Sequence, residues 1–213
     1  MRKEANLIIV GGTIAAGKST LVEGLAREKG FSPVPELRKD DLVQEIILQK
    51  LYEGTRIHKA TVQYYFIANR YRQYKEDSGG LVTSILDRGI WEDWFFAILL
   101  MENEPKSYQH YIELWKSTIN KILKLYGYPR AYLYVKVNWK NFKHRIFSRG
   151  REAEIRNFSE NEEYFKKLLN KYINEFENLL REWDIEPITI DTNKLDKKEV
   201  LDFALKELKK RGI

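Results

Sequence analysis

Leu7, Ile8, Ile9 and Val10 are apolar without interruption, as a strand buried on both faces must be, and Gly11-Gly12 halts the run. Four later segments read as strands. They are the proline-punctuated stretch Gly30 to Glu36, suited to a sheet edge, then Leu81–Leu86, Ala131–Val137 and Pro187–Asp191. Between them the apolar spacing is helical. Helices are predicted from Thr20, from Asp40 or Asp41 to about Tyr52, from His58 to Glu76, and from Ile90 to about Glu102, the last apolar almost all round. Pro105 breaks that helix, and Ser107 is the predicted cap of the next, which runs to Tyr126. Asn138 caps a short helix, and Ser159 with Glu162 forms a capping box opening a helix to about Trp183. Asp196 with Glu199 repeats that logic before the final helix. Strands alternating with helices, over connections too long for hairpins, predict an α/β fold with a five-stranded parallel sheet flanked by helices on both faces. Such sheets bind ligands outside the carboxyl ends of their strands. That singles out Gly12 to Ser19, Glu36, Asp87-Arg88 and Asp191.

Composition narrows the class. A chain of 213 residues with 43% hydrophobic content suits one domain over residues 1–213. No apolar segment approaches the roughly 20 residues of a membrane span. The first strand begins within six residues of the start, so no signal peptide is expected, and there is no cysteine for disulfides, thiolate catalysis or metal ligation. The expectation is a soluble, cytoplasmic protein. The net charge of +6 is interspersed with 31 acidic residues, which favours a pocket for phosphates and a solvated surface over a nucleic-acid face.

Chemistry enters at the end of the first strand. Gly12-Thr13-Ile14-Ala15-Ala16-Gly17-Lys18-Ser19 matches the phosphate-loop pattern G-x-x-x-x-G-K-[ST], with a strand before it and a helix from Thr20 after it. Backbone N–H groups of such a loop and the positive end of the helix dipole converge on a polyphosphate. Lys18 adds a full charge, and the Ser19 hydroxyl suits a magnesium ion. A nucleoside triphosphate is therefore the expected ligand. Phosphoryl transfer further needs a metal ligand and a group to take the proton of an attacking hydroxyl. Glu36 and Asp87-Arg88 meet those needs, expected on either side of the loop. Arg145, Arg149 and Arg151 could grip a transferring phosphoryl group from a flap that excludes water.

Taken together, these features resemble the deoxynucleoside kinase family. The likeness rests on GGTIAAGKST, on VPE at 34–36, on Tyr52, on Gln63 with Arg70, on DRGIWED at 87–93, and on RIFSRGREAE at 145–154. It implies a P-loop kinase with a mobile arginine-rich lid at about 145–158 and ATP as phosphoryl donor. Glu36 would be the general base toward a 5′-hydroxyl, Arg88 would hold that hydroxyl and the incoming phosphoryl group, and Asp87 would join Ser19 around magnesium. Tyr52 and Glu154 fall where the family binds the 3′-hydroxyl, Gln63, Arg70 and Asp93 where it reads the base. Arg145, Arg149 and Arg151 match the flap arginines. Asp93 held by Arg70 would accept from an exocyclic amine and repel the O4 of thymine, so deoxyadenosine, deoxycytidine or deoxyguanosine is expected ahead of thymidine. Homodimers are the habit of the family, and its place is nucleotide salvage.

The sequence departs from the family at Gly89, where serine is common, and at Trp91 and Trp94, where tyrosine and a basic residue are common. A thymidylate-type nucleoside monophosphate kinase is the nearest alternative, with Arg38 as the added cation its acceptor would need. A nucleotide-dependent nucleic-acid-binding protein is a more distant one. His58, His110 and His144 lack metal-site spacing. The stripe Tyr164, Leu168, Tyr172, Phe176, Leu179 and Leu180 reads as core or as a face toward another subunit.

Overall fold

The N-terminal apolar run becomes β1 (Glu4–Gly11), the middle strand of a five-stranded, all-parallel sheet in the computed structural model. Residues 2–36, 41–43, 46–47, 59–150, 155 and 158–213 are described. The other strands are β2 (Ser32–Val34), β3 (Ser84–Asp87), β4 (Tyr128–Lys136) and β5 (Ile188–Asp191), in the order β2-β3-β1-β4-β5. Helices α1 (Lys18–Lys29), α2 (Lys59–Asp77), α3 (Asp93–Leu100), α4 (Pro105–Leu125), α5 (Trp139–Arg149), α6 (Phe158–Glu182) and α7 (Lys197–Lys210) cover the sheet, and a 3₁₀ turn at Ile90–Glu92 leads into α3.

The unbroken apolar run has a simple cause. Leu7 and Ile9, with Tyr132 and Tyr134 of β4, face a core closed by α2, α3, α4 and one side of α6. Ile8 and Val10, with Ile85, Leu133 and Val135, face a second core closed by α1, α5, α7 and the other side of α6. The central strands β3, β1 and β4 thus bury both faces, the mark of a parallel sheet. β2 is an edge strand, as its prolines predict.

Several boundaries differ from the sequence reading. β3 begins only at Ser84, where the register with Leu7 of β1 and Ser32 of β2 starts, and Leu81 and Val82 stay outside the sheet and exposed. α4 opens at Pro105 rather than at Ser107, because proline fits the first helical turn, where its missing N–H costs nothing. Ser159 lies inside α6, since the buried ring of Phe158, packed on Phe147 and Phe165, already belongs to the helix. The Asp196–Glu199 capping box forms, with both bonds at 2.8 Å. Asn138 caps α5 by accepting from Asn141 N at 2.9 Å. The expected helix from Asp40 or Asp41 to Tyr52 lies mostly outside the described residues. Of the stripe on α6, Leu168, Tyr172, Phe176, Leu179 and Leu180 are buried against the chain's own sheet, so they are core and not a face toward a second subunit. Among the described residues, no helix is long and apolar enough to cross a membrane.

Candidate active site

The register brings three strand ends together. Val10 of β1 pairs with Asp87 of β3, and Leu86 pairs with Val34 of β2, so Gly12, Asp87-Arg88 and Glu36 emerge side by side. Because β2 lies beyond β3, Glu36 and Asp87-Arg88 stand on the same side of the phosphate loop. The expectation of one on either side is corrected by the strand order.

The loop itself is shaped by its glycines. Gly12 has φ +147°, and a Cβ there would stand 2.5 Å from the carbonyl oxygen of Val135, so only glycine fits. Thr13 and Ala16 are buried and Ile14 and Ala15 half-buried, while Gly17 leads into α1, where Ser19 and Thr20 lie exposed in the first turn. Lys18 is buried and donates to the Thr13 carbonyl at 3.1 Å. Burial, then the Arg88 charge, lower its pKa against the pull of Asp87, Glu36 and Glu92. Ser19 Oγ donates to Asp87 Oδ2 at 2.5 Å, and Asp87 Oδ1 is buried without a hydrogen-bond partner. An unmatched carboxylate oxygen beside the loop hydroxyl fits magnesium, which takes one or two carboxylates and otherwise keeps water and phosphate oxygens. Among the described residues there is no cluster of three or more histidines and acids that would form a full protein cage.

Glu36 is held by two arginines. Arg88 Nε lies 2.6 Å and Arg70 Nη2 3.2 Å from its Oε1. Burial alone would raise the Glu36 pKa, but Arg88, Arg70 and Lys18 outweigh it and bring it down to about 2. Arg70 is buried on α2 and also reaches Asp93, Nε to Oδ2 at 3.6 Å. Burial pushes Asp93 up to about 7, with Arg70 and Arg88 opposing and Glu92 and Glu36 reinforcing. One helical face of α2 supplies Gln63, Arg70 and Gln73, all buried. Gln73 accepts from Arg70 Nη1 at 3.3 Å and donates to the Pro35 carbonyl at 3.1 Å, so α2 fixes the backbone that carries Glu36.

A deoxynucleoside kinase family model matches residues 8–210. The chain belongs to that family. It is 33% identical over 194 residues to an uncharacterised protein of Mycoplasma pneumoniae, covering 90% of this chain and 84% of that protein. It is 29% identical over 223 residues to the deoxyguanosine kinase of Lactobacillus johnsonii, covering 97% of this chain and 94% of that enzyme. A solved deoxyadenosine kinase of Mycoplasma mycoides with the products dCMP and a flexible dCDP bound superposes with a TM-score of 0.76 at 25% identity, over 96% of this chain and 98% of that one. This deoxynucleoside kinase is thus an enzyme that phosphorylates nucleosides with a nucleotide donor.

Other residues named from the sequence are placed as follows in this kinase. Arg145 belongs to α5, and its guanidinium donates to the Ala16 carbonyl at 3.0 Å, to Thr192 Oγ1 at 2.9 Å and to the Thr192 carbonyl at 2.7 Å. It joins the phosphate loop to the loop after β5. Arg149 ends the same helix, exposed. The first five residues assigned to the lid are therefore helix. Tyr52, Arg151 and Glu154 lie outside the described residues, as does Arg38. Trp91 packs in the core against Tyr74 and Tyr132, and Trp94 donates to Tyr108 OH at 2.8 Å.

Sequence reasoning missed Glu92, Tyr132 and Tyr172. Glu92 is fully buried. It accepts from the backbone N–H groups of Gly12 and Gly89, from Arg88, and from the hydroxyls of Tyr132 and Tyr172. The signal available was a pair of adjacent acids, Glu92 and Asp93, within the otherwise apolar stretch Ile90 to Leu100. Gly89 follows from the same arrangement: a Cβ there would stand 3.0 Å from the Tyr132 hydroxyl and 3.1 Å from Ile9 Cγ2, which explains glycine where serine is common.

Proposed function

We propose that the enzyme transfers the γ-phosphoryl group of ATP to the 5′-hydroxyl of a deoxynucleoside, in nucleotide salvage, and that it works as a cytoplasmic homodimer. The observation that carries the reading is the 2.6 Å contact between Arg88 and Glu36 beside the Ser19–Asp87 pair at the mouth of the phosphate loop. A carboxylate, a guanidinium and a metal-ready pair are thereby gathered at one point, which is what in-line phosphoryl transfer requires.

Gly12 to Thr20 would cradle the donor phosphates, with Lys18 on the β- and γ-phosphates and Arg145, Arg149 and Arg151 around them. Magnesium, held by Ser19 and Asp87, would offset the charge on the phosphates. Glu36 is ionised at neutral pH and positioned by Arg88 and Arg70 through Oε1, and we assign its Oε2 to the acceptor hydroxyl. A carboxylate with so low a pKa is a weak base. It suits a loose transition state, in which the hydroxyl gives up its proton late, as the phosphoryl group reaches it. Arg88 then neutralises the charge that develops between donor and acceptor.

Tyr52 and Glu154 would hold the 3′-hydroxyl. Gln63 offers both a donor and an acceptor to the base, and Asp93 beside Arg70 accepts from an amine or a protonated ring position. That selects deoxyadenosine, deoxycytidine or deoxyguanosine over thymidine, and the deoxyguanosine and deoxyadenosine kinases among its relatives support the choice. The test is ADP release with ATP and magnesium across the deoxynucleosides, their ribose counterparts and the deoxynucleoside monophosphates. Turnover on an amine-bearing deoxynucleoside is expected. Turnover on monophosphates alone would make the enzyme thymidylate-type and remove Glu36 and Asp93 from their roles.

A further inference from the structure

The Glu92 carboxylate serves none of the steps above, yet it is fully buried and gathers five donors from four parts of the chain. Oε1 accepts from Gly12 N at 2.8 Å, from Arg88 Nη1 at 3.1 Å and from Tyr172 OH at 3.1 Å. Oε2 accepts from Gly89 N and from Tyr132 OH, each at 3.0 Å. We infer that Glu92 is a positioning residue that locks the Arg88 guanidinium to the first turn of the phosphate loop, so that donor and acceptor are held in one frame. The inference rests on the reading of Arg88 in phosphoryl transfer.

Capping the 3₁₀ turn explains only the bond from Gly89, and a neutral side chain would do that at less desolvation cost. The remaining bonds point at the site. Arg88 has φ +79°, an uncommon backbone state for arginine, and its N–H donates to the Val10 carbonyl at 2.9 Å. Its guanidinium is fixed along both edges, Nη1 by Glu92 and by Tyr172 OH at 2.6 Å, Nε by Glu36. The surrounding backbone is cut to the cluster: a Cβ at Gly11 would stand 2.5 Å from the Tyr132 ring and 2.9 Å from Glu92 Oε2. One oxygen, Oε1, thus touches both the loop that takes the donor and the arginine that meets the acceptor. A small displacement of that oxygen misaligns the two substrates without removing a group that binds either.

The test is steady-state kinetics on Glu92→Gln, Arg88→Lys, their double variant and Tyr172→Phe, with melting curves for each. Glu92→Gln is expected to lower kcat about 10²-fold, the weight of a small misplacement at a reacting centre, while the nucleoside KM moves less than about threefold. In the Arg88→Lys background the same change should cost less than about threefold, because its partner is already lost. Full persistence of the Glu92→Gln factor in that background, or wild-type kcat in Glu92→Gln, overturns the inference and leaves the reading of Arg88 standing. Wild-type turnover in Arg88→Lys overturns both. Should Glu92→Gln fail to fold, Tyr172→Phe decides: it removes one hydroxyl from the cluster and should lower kcat about fivefold, the weight of one hydrogen bond, and unchanged kcat refutes the inference.

Discussion

Glu36 and Asp93 show how two carboxylates near the same arginines are driven apart. Glu36 is pulled down to about 2 and Asp93 raised to about 7. Glu36→Gln is expected to reduce turnover by about 10²- to 10⁴-fold with nucleoside binding largely kept, measured by the ADP-release assay. For Asp93 the sign is set by burial. The fold holds a proton that the unfolded chain has lost between about 4 and about 7, so its contribution to stability falls as pH rises through that window. Glu36 acts oppositely, stabilising above about 4.5 and losing that contribution as pH falls toward about 2. Urea midpoints at about pH 5 and about pH 8 should therefore differ less in Asp93→Asn than in the wild type. The kcat/KM for deoxyadenosine should rise through about pH 7, as Asp93 ionises to accept from the amine, and Asp93→Asn should remove that limb. At this scale the sequence exposes residue types but not directions. Asp93 could be named from its block, but Glu92 beside it could not. The turn at Ile90–Glu92 returns the Glu92 side chain to the Gly89 N–H, three residues back, and so brings its carboxylate against the loop, a contact that the block of residue types does not disclose.

At the scale of elements, the phosphate loop was legible because strand, glycines and helix are contiguous and each has its own local signal. The neighbourhood of Glu36 was not. Periodicity reveals that a segment is a strand, while which strand lies beside it is settled by crossovers through α1 and α2. The same limit applies to α6: its apolar stripe marked a buried face but could not show that the Tyr172 hydroxyl reaches Arg88 across the sheet end. α5 offers a test at this level. Arg145 ties the phosphate loop to Thr192, so Arg145→Ala should loosen the donor cradle. Losing a charged hydrogen-bonded anchor should raise the KM for ATP about tenfold, with the KM for the nucleoside little changed, as initial rates at varied ATP would show.

For the molecule as a whole, the site is asymmetric in its support. The donor loop grows from β1, which is paired on both sides and buried on both faces, whereas Glu36 follows β2, a three-residue strand at the sheet margin. Glu36 owes its place to Arg70, Arg88 and Gln73 more than to the ladder. The two halves of the candidate site should therefore come apart in sequence as denaturant rises. Amide exchange at β2 should outpace exchange at β1, which tracks global unfolding. In mild urea the enzyme should still retain a fluorescent ATP analogue after it has stopped recognising its nucleoside, failing first as a catalyst and only later as a nucleotide-binding protein.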